Sequence, residues 1–252
     1  MCRVKKLFFG LLLLFVQLDA QEVYANFFVR AHQDATLAFH AGGIIKTLHA
    51  DVAQSVKKGS LVAELANEEQ KALLNVAKAD VENAKVALKY AQRDYERGQK
   101  VKHLLDEARF DVYELAYERA KTALSLALAN LSYKEALYNK TLLQAPFDGT
   151  IYEKNAEVGD VVTEMSPKSV FKILSKKRKL VLEFDQKYWK SVKVGQVFKY
   201  KVDGDTKEYQ GVITKVYPHA DAKSRKMSAE VEAGDFAIGL FGDGTIVAET
   251  TK

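Results

Sequence analysis

Between about Asn67 and Lys140 the chain runs without proline and with a single glycine, Gly98. Within this stretch Leu74, Ala77, Val81, Ala84, Leu88, Ala91 and Tyr95 recur at alternating steps of three and four. That spacing holds apolar side chains on one stripe of a helix facing a partner helix. Phe110, Tyr113, Tyr117, Ala120, Leu124, Ala127 and Leu131 repeat the alternation. The pattern predicts two helices with matching heptad seams, folded back on each other as an antiparallel coiled-coil hairpin over 67–140. Gly98 takes the next seam position after Tyr95. Asp106 is placed to cap the returning helix, because its carboxylate can accept the free N–H groups of the first turn. Helices of roughly 33 residues would reach about 50 Å, so the hairpin must project. Its alanines bury little area each, and packing against further copies of the chain is expected to supply the missing stability.

Outside the hairpin the period changes to two. Glu22 to Val29 alternates Val23, Ala25, Phe27 and Val29 with the residues between them, which predicts a strand, and Leu37 to Phe39 is a shorter extended run. Lys179 to Phe184, Val197 to Val202 and Gln210 to Val216 read as further strands, with Asp203-Gly204-Asp205 as a turn. Tyr188 and Trp189, with Val192 and Val194, read as a short helix or turn whose rings pack into the core. One possible strand, Thr245 to Ala248, lies in the tail. Two distant segments resemble each other: Gly43-Ile44-Ile45 followed by Val56-Lys57-Lys58-Gly59-Ser60-Leu61-Val62, and Gly149-Thr150-Ile151 followed by Val158-Gly159-Asp160-Val161-Val162. Each is a glycine turn, a strand, a second glycine turn and another strand, so the chain contains an internal repeat. The copies flank the hairpin almost symmetrically, which predicts one small β-domain in two halves with the helices inserted between them.

Composition narrows the function. The chain has 252 residues, 28% of them charged, and a net charge of +5. Setting aside the first twenty residues leaves 35 basic against 32 acidic residues, too small an excess to argue for nucleic acid. The basic runs Lys176 to Lys179 and Lys223 to Lys226 read as solvated strand ends, with an anionic partner or membrane headgroups as the alternative. Residues 1–20 read as a secretory signal: Arg3, Lys5 and Lys6, the apolar run Leu7 to Val16, then Leu18-Asp19-Ala20. Cleavage is expected after Ala20, the alternative being retention of Leu7 to Leu18 as an anchor. Cys2 is the single cysteine and precedes the apolar run, so lipid attachment, thiol catalysis and a cysteine metal site are not expected. The five histidines lack paired ligand spacing; His40 and His49 could approach a metal only if their strands pair. No nucleophile motif or phosphate-binding loop is present, and neither catalysis nor a cofactor is expected.

Gln144-Ala145-Pro146-Phe147-Asp148-Gly149-Thr150-Ile151 with Val158 to Val162 resembles the second lipoyl-type half-motif of the periplasmic adaptor proteins. These are the HlyD/AcrA-like membrane fusion proteins of tripartite efflux pumps. Gly42-Gly43-Ile44 with Val56 to Gly59 is similar to their first half-motif, although Ala53 stands where that family has a glycine. Val194-Gly195-Gln196, Tyr209 to Thr214, Pro218 and Asp221 to Arg225 are similar to the family's β-barrel domain. The resemblance implies an elongated α+β chain: a hairpin inserted in a split lipoyl-like domain, followed by a β-barrel. The implied divisions are a signal at 1–20, N-terminal strands of the barrel at 21–36 and the lipoyl-like halves at 37–66 and 141–174. The hairpin takes 67–140 and the barrel 175–233, leaving 234–252 as a short segment or remnant membrane-proximal domain. The lipoyl-like turns would use Gly43, Gly59, Pro146, Gly149 and Gly159. A true lipoyl or biotinyl domain carries a modified lysine where the two halves join. Here the hairpin replaces that junction, which leaves a carrier enzyme component as a rival reading. A coiled-coil envelope protein unconnected with export is another.

The implied function is non-catalytic: linking an inner-membrane transporter, of the proton-driven resistance-nodulation-division type, to a TolC-like outer-membrane channel. An ATP-driven transporter is the alternative. A periplasmic location at the inner membrane and a hexameric ring of copies are implied as well. The family presents an arginine, a leucine four residues on and a serine seven further at the hairpin tip. Arg97 and Val101 occupy the first two spacings, Ala108 the third, and the tip set is Arg97, Gly98, Val101 and Asp106.

Overall fold

The computed structural model describes residues 20–165 and 168–249. In chain order the first strands are β1 (Ala20–Ala31), β2 (Asp34–Ala38), β3 (Gly43–Leu48), β4 (Ser55–Val56) and β5 (Leu61–Leu65). Helices α1 (Glu68–Lys100) and α2 (Glu107–Asn139) follow, joined by a single 3-10 turn at Lys102–Leu104. Next come β6 (Leu142–Gln144), β7 (Gly149–Lys154), β8 (Val161–Val162) and β9 (Ser169–Ser175). The last are β10 (Arg178–Asp185), β11 (Val197–Val202), β12 (Glu208–Ala220), β13 (Lys226–Glu232) and β14 (Phe241–Glu249). Two compact units result, one from the residues before Gln33 together with those from Lys177 onward, the other spanning Gln33–Lys176.

The first unit is a closed barrel in the order β1-β10-β13-β12-β11-β14. Its strands alternate, and the inward residues Val23, Phe27, Leu180, Phe184, Phe198, Ile213 and Ile246 are buried in a shared core. Closure lets every strand hide one face without a covering layer. Phe27 meets Phe198 and Tyr200 edge-on, with centroids 5.9 and 5.2 Å away. On the wall, the buried Glu230 accepts hydrogen bonds from Lys179 Nζ at 2.6 Å and from the Tyr217 hydroxyl. Burial alone would push that carboxyl up, but these two donors outweigh it and hold the group below the usual carboxylate range.

Three expectations change here. Phe241–Glu249 pairs with β1 on one side and β11 on the other, so the tail closes the barrel rather than forming a separate remnant. The N-terminal boundary falls at His32, since Asp34–Ala38 pairs with β9 of the second unit and not with the barrel. The Tyr188 ring does pack on the core and Val192 is buried, but Trp189 and Val194 are each 60% exposed. The proposed export signal lies outside the described residues except for Ala20, where β1 begins.

The second unit holds two four-stranded sheets, β2-β9-β7-β4 and β6-β5-β3-β8, around one apolar core. The repeated segments exchange partners within it. β3 of the first copy pairs with β8 of the second (Gly43 opposite Val162), and β7 of the second pairs with β4 of the first (Gly149 opposite Val56). Their turns match too: Ser60 N–H donates to Lys57 C=O at 3.0 Å, and Asp160 N–H to Glu157 C=O at 3.1 Å. Gly59 and Gly159 sit at the third position of these turns with φ of 80° and 95°, the left-handed region that a type II turn requires there. Asp148 ties the copies together by accepting from Lys58 N–H at 2.7 Å. Pro146 is exposed just after the buried Ala145. Ala53, in the family's glycine position, adopts φ 67° and donates its N–H to Ile151 C=O at 2.8 Å, so the turn forms with a strained residue.

The helices leave and rejoin this unit at one point. Asn67 Nδ2 donates to Thr141 Oγ1 at 3.2 Å and Leu65 N–H to Thr141 C=O at 2.9 Å, with Asn67 and Thr141 both buried. Lys46 Nζ reaches Glu68 at 2.5 Å in the first turn of α1. At the other end Tyr95 of α1 stacks on Tyr117 of α2 with centroids 5.2 Å apart, so the helices run antiparallel side by side. Each has 33 residues. Among the described residues no helix is long and apolar enough to cross a membrane.

Candidate functional site

The helix pair buries one stripe. On α1 the positions Leu74, Ala77, Val81 and Gly98 are buried, and Ala84, Leu88, Ala91 and Tyr95 are half-buried. On α2 Phe110 is buried, and Tyr117, Ala120, Leu124, Ala127 and Leu131 are half-buried. Tyr113 is more open, at 39% exposed. A bulky residue at a small stripe position should push the axes apart. Ala84→Leu should destabilise the chain by about 1–3 kcal/mol, whereas Lys85→Leu, at an exposed position, should be nearly silent. Thermal unfolding of the two variants makes the comparison, and equal shifts would show that Ala84 does not face α2.

A second apolar row lies on the outer faces. Val76, Val86 and Tyr90 of α1, and Val112, Leu115, Leu126 and Tyr133 of α2, are all exposed. Each stands two residues beyond a stripe position, a rotation of roughly 200° about the helix axis, and therefore points away from the other helix.

At the tip, Arg97, Gly98 and Val101 line one concavity of about 450 Å³ together with Asp94, Leu105 and Tyr113. Asp106 is not among its lining residues. Its carboxylate instead accepts from Arg109 N–H at 2.8 Å and caps α2. The Arg97 guanidinium is exposed and lies 3.5 Å from Asp94 one turn earlier. Gly98 does not leave room for an outside group: a β-carbon there would lie 2.9 Å from Cδ2 of Tyr113, so the chain's own ring fills the space. The tip is braced below by Tyr95 against Phe110, with ring centroids 5.6 Å apart, and by Lys102 Nζ 4.2 Å over the Phe110 ring. Sequence reasoning passed over Leu104 and Leu105. Leu104 is 74% exposed at the apex and Leu105 is half-buried in the concavity; two adjacent leucines in a connection too short for a period were the available signal.

Elsewhere the geometry offers little chemistry. His40 follows β2 and His49 follows β3, strands of different sheets, so the pairing that would bring them to one metal does not occur. Among the described residues no group of three or more potential ligands forms. Lys57 and Lys58 lead into the turn at Gly59, and the helices occupy the junction where a carrier domain would present its lysine.

Solved structures with the same fold include the membrane fusion protein Spr0693 from Streptococcus pneumoniae R6. It is 16% identical with a TM-score of 0.68, over 90% of this chain and 100% of that one. MacA from Actinobacillus actinomycetemcomitans is 21% identical with a TM-score of 0.59, over 91% of this chain and 79% of that one. The cobalt-zinc-cadmium resistance protein CzcB of Cupriavidus metallidurans is 25% identical over 141 residues, which are 54% of this chain but 27% of CzcB. The chain thus matches about a quarter of that relative's length. The model of the CzcB-like barrel-sandwich hybrid domain matches residues 33–174, the two sheets and the helix pair between them, and the chain belongs to that family.

Proposed function

We propose that the chain is a non-catalytic periplasmic adaptor of a tripartite efflux system, linking an inner-membrane transporter to a TolC-like outer-membrane channel. The observation that carries this reading is the construction of the second unit, in which two strand-exchanging half-motifs support a pair of 33-residue helices. At 1.5 Å per residue those helices extend about 50 Å and place the tip far from the sheets. In this reading residues 67–140 are a coiled-coil hairpin, the sheets are its split lipoyl-like base and the tip concavity around Arg97 meets the channel. The barrel docks on the transporter, of the resistance-nodulation-division type toward which the resemblance of the barrel motifs leans, an ATP-driven transporter being the alternative.

The outer apolar rows support self-assembly. A row on the far side of each helix lets α1 of one copy meet α2 of the next; where the rotation of such a head-to-tail contact closes, it makes a ring, for which the family resemblance implies six copies. The assembly sits in the periplasm at the inner membrane, reached through the signal at residues 1–20, cleaved after Ala20 or retained as an anchor. A tagged chain purified from solubilised envelopes should bring down one transporter and one channel. Recovery of neither, or an intact mass raised by a lipoyl or biotinyl group, would refute the adaptor role.

A further inference from the structure

Trp189 is the single tryptophan of the chain and is 60% exposed at one end of the barrel. It follows the 3-10 turn Gln186–Tyr188 and lines a concavity of about 470 Å³ with Gln186, Lys187, Pro218, Ala220 and Met227. Gln186 N–H donates to Arg225 C=O at 3.1 Å, which draws the turn between β12 and β13 beside it. Lys187, Lys190, Lys223 and Arg225 are all exposed around this rim. Lys190 Nζ lies 5.1 Å over the Trp189 ring and Lys187 Nζ 4.9 Å over that of Tyr188. The carboxylates of the same two turns face inward to the backbone: Asp185 accepts from Lys187 N–H, and Asp221 from Lys223 N–H, each at 2.9 Å. The rim therefore carries an exposed indole with Lys187 and Lys190 beside it and two further exposed cations, Lys223 and Arg225, on the adjoining turn.

Topology says what lies next to it. Ala25 pairs with Phe184, and Phe184 with Met227, so the start of β1 shares this end with Trp189 and the β12–β13 turn. The described chain begins at Ala20, the first residue of β1, and the apolar run Leu7 to Val16 precedes it in sequence, ending four positions earlier. On the proposed reading of that run as an export signal or anchor, the chain continues from it into the end of the barrel that carries Trp189.

We infer that this end of the barrel is a membrane-contact surface that rests on anionic lipid headgroups, with Trp189 seated at the interface and Lys187, Lys190, Lys223 and Arg225 held over the phosphates. Tryptophan favours that boundary because its ring is apolar and its N–H is a donor, and each cation near such a surface strengthens partitioning roughly fivefold. The inference does not depend on channel docking by the hairpin.

Because Trp189 is the only indole, its emission in the purified full chain reports on the rim directly. Phosphatidylglycerol vesicles should shift the emission to the blue, and lipids brominated in the acyl chain should quench it; phosphatidylcholine vesicles should do neither. Added salt should reverse the effect. Lys187→Gln/Lys190→Gln should weaken it about 25-fold, while Lys199→Gln/Lys201→Gln on the barrel wall should leave it unchanged. Three results would overturn the proposal: no shift with anionic vesicles, an equal shift with both lipids, or a shift that appears only when an inner-membrane transporter is supplied in neutral lipid.

Discussion

Arg97→Asp should abolish export and channel co-purification while leaving the melting temperature and self-association unchanged. The fold loses little, because Arg97 is exposed and its ion pair among the described residues is the one-turn contact to Asp94. Such pairs contribute about 0.3–0.5 kcal/mol, and the like charges created at positions 94 and 97 cost a similar amount. At a docked tip the change is of another size. A guanidinium can give paired hydrogen bonds to carbonyls or carboxylates of a facing helix, and reversing such a contact costs about 2–5 kcal/mol, at least a thirtyfold loss of occupancy. Arg93→Asp, one turn earlier and outside the concavity, should retain export. Full export by the Arg97 variant, where deletion of the protein gives none, would remove the tip from the mechanism.

The second large effect separates the two copies of the repeat. Gly149→Ala should cost about 3 kcal/mol, since the new methyl would sit 2.3 Å from the carbonyl oxygen of Leu174 and 2.9 Å from Ile173 Cγ1. Backbone on the paired strand β9 cannot retreat without breaking the ladder. The equivalent Gly43→Ala meets only the side chain of Leu65, at 3.2 Å from Cδ1, and should cost less than about 1 kcal/mol. Urea unfolding midpoints compare the pair, and equal losses would show that the halves are packed alike at this turn.

What could be read from the sequence depended on how local the determining interactions are. The helix stripes and the Asp106 cap were legible because period and capping act within a few residues. β14 was legible only from Thr245 onward. Its earlier inward positions are Gly242 and Gly244, where a β-carbon would lie 2.1 Å from Lys201 C=O and 2.2 Å from Lys199 C=O, so the alternation has no hydrophobic residue to show there. β12 extends beyond its expected span because register shifts between Ile213 and Lys215, and between Val216 and Ala220, interrupt the period of two. The repeat was visible, but the exchange of strands between its copies is a pairing across about a hundred residues that no local pattern encodes. At the tip, Arg97 and Val101 could be placed by spacing, whereas Tyr113 filling the space at Gly98 and the outward turn of Trp189 follow from packing alone.

The junction at Asn67 and Thr141 bears on how the protein reaches its fold. A disordered connection of that length would cost about 4 kcal/mol in closure entropy before the two halves of the sheet unit could meet. Helices form locally on the microsecond scale, so a zipped pair delivers both halves to one place and removes most of that search. Once zipped, the pair presents the same two ends whatever its height. Adding or deleting matched heptads in both helices leaves the distance between Asn67 and Thr141 unchanged, so the reach of the protein can be lengthened or shortened without re-solving the folding of its base.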